Sequence, residues 1–169
     1  MKAVKIFSVF IFGLLLTVPA HAKDLKIAYV ELGGVFNNYQ KTKEYDATLQ
    51  KESQDAQKQM DAMITKIRDA QGKLALLKED EKQKLQADID KQKNDLLDFR
   101  NQKRAELAKK FEDMRKEILL EIEKVVSNIA KKDGYTYILN DTVLLYGDKG
   151  LDITDQVLKA LNDSYPGKK

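Results

Sequence analysis

Residues 74–89 read Leu-Ala-Leu-Leu-Lys-Glu-Asp-Glu-Lys-Gln-Lys-Leu-Gln-Ala-Asp-Ile, and a slip of one position inside this stretch decides the fold. Upstream of it, Leu49, Ser53, Ala56, Met60, Met63, Ile67, Ala70, Leu74 and Leu77 recur in alternating steps of four and three, the seam of a coiled coil. If the helix simply continued, the seam would fall on Glu81, Lys84, Asp88, Lys91 and Asp95, all charged. The stripe instead resumes one position later, at Leu85, Ile89, Gln92 and Leu96. One residue turns a helix by ~100°, so an unbroken helix would present its two halves to different sides. The spacing therefore predicts a break between Leu77 and Gln83, where Lys78-Glu79-Asp80-Glu81 is polar. Asp80 and Gln83 there have capping-box spacing for a new start. The competing reading is one continuous helix with a skip in its repeat.

Folding the chain back at a tip near 78–82 makes the stripes meet in one register. Leu74 then faces Leu85, Ala70 faces Ile89, Met63 faces Leu96, Ser53 faces Leu107, Leu49 faces Phe111 and Tyr45 faces Met114. Residues 41–132 contain no Pro and a single Gly, Gly72, as such an arm requires. The arm expected from Lys43 to Lys78 is ~55 Å long. In the second helix Leu107, Ile118 and Ile129 are eleven apart, and so are Lys103, Met114 and Val125, and Arg100, Phe111 and Ile122. That period does not supercoil left-handedly, so the root of the arm should be straighter than its tip. The seam is thin, because Ser53, Ala56, Ala70, Gln92 and Lys103 take inward positions; such an arm should bend and adapt.

The flanks differ in character. Residues 1–22 carry Lys2 and Lys5, an apolar run from Ile6 to Val18, and Pro19-Ala20-His21-Ala22, the pattern of a secretory signal cleaved between Ala22 and Lys23. The run is too short to span a bilayer stably. A periplasmic or otherwise exported location follows. Lys2 and Lys5 are two of the 30 basic residues, which leaves 28 against 27 acidic ones in the mature chain, a net charge of +1. That balance and the compartment argue against nucleic acid as a partner. The chain has no Cys, and its single His is His21, so Cys nucleophiles, His bases and the usual zinc ligands are missing from the mature part. No phosphate-loop or dinucleotide spacing follows Gly33-Gly34. No catalytic residue, metal site or cofactor is assigned, and the chain is read as not an enzyme.

Residues 23–40 and 133–169 are expected to form a β-rich base, giving an α+β fold with residues 41–132 as its arm. Leu25 to Leu32 reads as a strand ended by Gly33-Gly34. Tyr135 to Leu139 and Val143 to Tyr146 read as two more, separated by Asn140-Asp141. Thr154 reads as the N-cap of a last helix carrying Val157, Leu158 and Leu161. A core this small is marginal alone, and its strands would expose apolar edges. Closing strands from several subunits into one barrel answers both needs, with Leu25, Ile27, Tyr29, Val30, Tyr135, Tyr137, Val143 and Leu145 as candidate oligomerisation residues. The alternative is a monomer that buries its strands against its own helices. Phe36 and Tyr146, with Tyr29, Tyr135 and Tyr137, are read as base core.

Lys26-Ile27-Ala28-Tyr29-Val30-Glu31, then Val35-Phe36, Tyr39 and Thr42-Lys43, resembles the start of mature members of the Skp family, also called the OmpH family. Asp152-Ile153-Thr154-Asp155-x-Val157-Leu158-x-x-Leu161-Asn162 resembles their C-terminal end. The resemblance implies a periplasmic, ATP-independent holdase for unfolded outer-membrane β-barrel proteins. It also implies a homotrimer whose base carries three arms around a client cavity. Well-known members are strongly basic, whereas this mature chain is nearly neutral, so lipopolysaccharide or an anionic membrane surface is at most a weak partner. A local basic belt remains at Arg100, Lys103, Arg104, Lys109 and Lys110; interleaved acidic residues favour an ordinary solvated helix face, with lipid or client contact as the alternative. Beside the seam lie Ile64, Leu97 and Phe99, which are read either as one lateral client-binding patch or as a widening of the coiled-coil core, with Leu76 as a further candidate near the tip. The second function class is a structural or adaptor coiled coil of the envelope that binds one folded partner.

Overall fold

A computed structural model describes residues 25–167. The expected signal segment lies outside the described residues. The order is β1 (Ile27–Val30), α1 (Leu32–Asn38), α2 (Gln40–Leu74), α3 (Glu79–Asp133), β2 (Tyr137–Asn140) and α4 (Thr154–Ser164). Short 3-10 turns at Asp141–Val143 and Lys149–Leu151 separate β2 from α4.

α2 and α3 run ~50 Å and ~80 Å and lie antiparallel. Cross-links between the helices fix the register: Lys110 Nζ donates to Glu52 at 2.6 Å, and Tyr45 donates to Glu117 at 3.0 Å. Tyr45, Leu49 and Met114 line one shared groove, and Met60 and Leu96 line another. The break falls at Ala75–Lys78, a little earlier than the phase shift indicates. α2 stops at Leu74, and Leu76 and Leu77 donate backbone hydrogen bonds to Lys73 and Leu74 in a tight turn. The new helix starts after Lys78, which contributes no side-chain cap, so the Asp80–Gln83 capping box does not form. Glu79, Asp80 and Glu81 instead place three negative charges in the first turn, favourable to the helix dipole.

Beyond its root the arm buries only Ala56, Ile67 and Ile89 among the described residues. Two expected seam contacts are not made inward. Ser53 is exposed, and Phe111 is about half exposed, so the eleven-residue row through Arg100 and Phe111 turns inward only at Ile122. The main core sits at the root, where Met114, Ile118, Ile122 and Ile129 of α3 meet Val35 and Tyr39. Ile153, Val157 and Leu161 close it from the C-terminal side.

The base is mainly helical, not β-rich. β1 and β2 form one parallel pair, with Ile27 opposite Tyr137 and Val30 opposite Asn140. Parallel strands need a crossover, and here α1 and the whole arm supply it. Ala28 and Val30 face the core, so Val30 belongs to the interior and not to an open oligomerisation face. Gly33-Gly34 does not end the strand in a loop. Both glycines lie in α1, which the apolar pair Val35 and Tyr39, four apart, ties to the core. Val143 to Tyr146 is not a strand: Asp141–Val143 coils into a 3-10 turn, and the following residues find no strand partner among the described residues.

The chain ends lock each other. Asn162 Oδ1 accepts the backbone N–H of Gln40 at 3.0 Å and so satisfies the start of α2 from α4. Thr154 is the first residue of α4 and not its cap; its Oγ1 accepts the N–H of Glu31 at 2.9 Å, before α1. Asp152 Oδ1 accepts the N–H of Thr154 at 2.9 Å. Gly134, at φ 74°, ends α3 in the left-handed conformation that glycine adopts without penalty.

Candidate interaction surfaces

On the arm, Ile64 and Leu97 line one open groove of about 430 Å³ with Met60, Leu96, Gln57, Lys93 and Arg100. Both are exposed. Phe99 does not join them. Two residues along a helix is ~200°, so Phe99 turns to the other flank, where Lys103 Nζ stands 5.9 Å from its ring centre. The expected patch of three is therefore two residues plus one elsewhere. Leu76, 85% exposed, stands in the tip turn. A larger cavity of about 560 Å³ opens on the opposite flank, lined by Met63, Ala70, Leu85 and Gln92 and rimmed by Lys66, Lys73, Asp69 and Asp95.

Most of the basic belt is paired within the chain. Lys103 pairs with Glu106 at 2.9 Å, Lys109 pairs with Asp113, and Lys110 pairs with Glu52 at 2.6 Å. Hydrogen bonds from Lys103 and Lys110 hold the Glu106 carboxyl below the usual carboxylate range. Among the described residues Arg100 and Arg104 form no ion pair.

A clamp at the arm's root went unnoticed in the sequence. Lys41, whose side chain is 11% exposed, donates to Glu117 at 2.6 Å and to Glu121 at 2.5 Å. Tyr39 donates to Glu121 at 2.9 Å, Tyr45 to Glu117 at 3.0 Å, and Tyr165 to Glu44 at 2.8 Å. Burial, then the hydrogen bond to Glu121, pushes the Tyr39 phenol well above its ordinary value. Burial also opposes the charge on Lys41, but hydrogen bonds to the two glutamates outweigh it and raise the ammonium pKa. The only available signal was four-residue spacing: Lys41 with Tyr45, and Glu117 with Glu121.

On the base, one side of the sheet is only partly covered. Leu25, Ile27 and Tyr137 are exposed there, and so are Val143 and Leu145 in the following loop. Tyr29 and Tyr135 are half-buried. Lys26 Nζ stands 4.2 Å from the Tyr135 ring centre. The Tyr29 ring lies so close to Gly147 that a Cβ there would meet it at 2.7 Å, so glycine lets the loop approach. Tyr146, which the sequence placed in the core, is 84% exposed. The Asn140 side-chain oxygen is buried without a donor.

Residues 26–161 match the model of the family described as outer membrane protein (OmpH-like). The chain belongs to this family. The OmpH-like chain is 24% identical over 151 residues to chaperone protein Skp of Yersinia enterocolitica, covering 87% of its own length and 92% of that protein. A shorter match, 35% identity over 57 residues, reaches outer membrane protein 26 of Haemophilus influenzae, covering 34% of this chain and 29% of that one. Its fold is similar to that of a chain from Caulobacter crescentus CB15 described as an OmpH-like outer membrane chaperone. The TM-score is 0.79 at 13% identity, over 86% of this chain and 88% of that one. In the OmpH-like chain the two terminal motifs converge in one core. Val35, Tyr39 and Thr42 are buried from the first, and Ile153, Val157 and Leu161 from the second. The arm, which lies between the two motifs in sequence, carries the exposed apolar groove.

Proposed function

We propose that the mature chain is a non-enzymatic, ATP-independent holdase of the periplasm that keeps unfolded outer-membrane β-barrel proteins soluble. The observation that carries this reading is an arm with three buried seam residues beyond its root and exposed Ile64, Leu97 and Leu76 along its length. A surface of this kind offers weak, adaptable apolar contacts. Family membership and a curated relative named as a chaperone support it. Residues 1–22 act as the cleaved signal, residues 41–132 as the client arm, and the remainder as the assembly base.

The chain works as a homotrimer, with the partly covered side of the sheet facing its copies. Exposed Leu25, Ile27, Tyr137, Val143 and Leu145, and the donor-less oxygen of Asn140, support that assignment. Contact with lipopolysaccharide or an anionic membrane is weak, since Lys103, Lys109 and Lys110 of the belt are already paired. Suppression of aggregation of several unrelated unfolded β-barrel proteins, without nucleotide, is the test. Binding of one folded partner with no suppression would assign the adaptor role instead.

A further inference from the structure

The arm has two unlike flanks, and they differ in how many charged groups stand around their apolar residues, four on one and two on the other. In the groove of about 560 Å³, Lys66, Lys73, Asp69 and Asp95 stand around the apolar floor. A client side chain entering there would desolvate four charged groups without replacing their hydration, a costly exchange. The groove of about 430 Å³ on the other flank is walled by Met60, Ile64, Leu96 and Leu97. Its size is near the lower end of small-ligand sites, roughly 300–1,000 Å³, room for side chains and not for a folded domain.

The charges around this second groove are also unequal. Lys93 is occupied by Asp90 at 3.3 Å, and Gln57 donates to Asp61 at 2.9 Å. Arg100 lines the same groove and forms no hydrogen bond or ion pair among the described residues. An unpaired guanidinium beside an apolar wall can bind a carboxylate with two parallel N–H donors or lie over an aromatic face.

Resting on the holdase reading, we propose that the Met60–Ile64–Leu96–Leu97 groove with Arg100 at its rim is the client-facing flank, and that it selects extended segments in which an apolar residue is flanked by a carboxylate. Phe99 and the Lys66–Asp95 cavity lie on the flank turned away from the client.

The test uses the full-length mature protein and three unstructured, fluorescently labelled peptides of equal length. One carries Leu and Phe flanked by Asp, one the same residues flanked by Lys, and one Asp without apolar residues. At low salt the first should bind about two- to five-fold more tightly than the second, the range of an exposed ion pair, and the third should not bind. Arg100→Gln should abolish the preference, Arg100→Lys should restore part of it, and Leu97→Ser should weaken both apolar peptides. A photo-crosslinker at Leu97 should capture the first peptide, and one at Lys66 should not. Circular dichroism must report unchanged helix content for each variant. A preference that persists in Arg100→Gln, or equal capture at Lys66, would overturn the proposal. So would Arg100-dependent binding to anionic phospholipid vesicles with no peptide binding, which would assign the groove to lipid. Aggregation suppression, measured separately, reports on the holdase reading whichever way the groove tests fall.

Discussion

Replacing Lys41 with Met isolates the charge at the arm's root, because Met keeps much of the apolar stem while removing the ammonium. Lys41 holds Glu117 at 2.6 Å and Glu121 at 2.5 Å from a side chain only 11% exposed, while the two carboxylates are 49% and 36% exposed. Breaking a fully buried pair costs ~3–5 kcal/mol, and an exposed pair contributes ~0.2–1 kcal/mol. Solvent reaches both carboxylates, and each retains a tyrosine donor, Tyr45 for Glu117 and Tyr39 for Glu121. The loss should therefore fall between those limits, at about 1–2 kcal/mol. For a chain of this length that is a fall in Tm of roughly 2–8 °C. The assay is urea and thermal unfolding followed by circular dichroism, at fixed protein concentration because assembly shifts apparent stability. High salt should weaken the wild type more than the variant. A variant as stable as wild type at low salt would refute the clamp and leave the root held by Ile118, Ile122 and Val157 alone.

Asn162→Ala removes the acceptor for the Gln40 N–H and should cost ~1 kcal/mol, with amide exchange rising first at the start of α2. Acid should loosen the same root. The hydrogen bond from Lys41, against the opposing effect of burial and with help from Tyr45, holds the Glu117 carboxyl below its ordinary range. Its stabilisation is present above the unfolded value of about 4.3 and is lost as pH falls through the lower folded value. Because Glu117 is half exposed, the change should stay under ~1 kcal/mol, read by unfolding between pH 6 and pH 3. Ile27→Asp puts a charge on the proposed subunit interface and should dissociate the trimer in sedimentation velocity while Ala28 and Val30 keep the protomer core intact. An unchanged trimer would place the interface elsewhere.

The hairpin was legible because the seam's phase slip between Leu77 and Leu85 is a property of helix geometry alone. The exact stop was not, since a Leu-rich turn such as Leu74-Ala75-Leu76-Leu77 carries no local breaker. α1 was missed because Gly33-Gly34 outweighed the four-residue spacing of Val35 and Tyr39. Val143 to Tyr146 has strand composition, yet its first residue is drawn into the 3-10 turn Asp141–Val143 and the rest pairs with no strand among the described residues. Of the arm candidates, Ile64 and Leu97 share a groove, as their level in the register suggests. Phe99 was grouped with them by level without regard to flank. The root clamp and the Asn162 cap join residues far apart in sequence, 80 and 122 positions for Lys41–Glu121 and Gln40–Asn162, and no short motif announces them.

The most direct test of the holdase account is the solution mass of the mature protein alone and with an unfolded outer-membrane β-barrel protein, by light scattering after size exclusion without nucleotide. The account predicts a trimer that takes up the unfolded client in a discrete, soluble complex and ignores the same protein once folded. A monomer that neither assembles nor co-elutes with the unfolded client would contradict it.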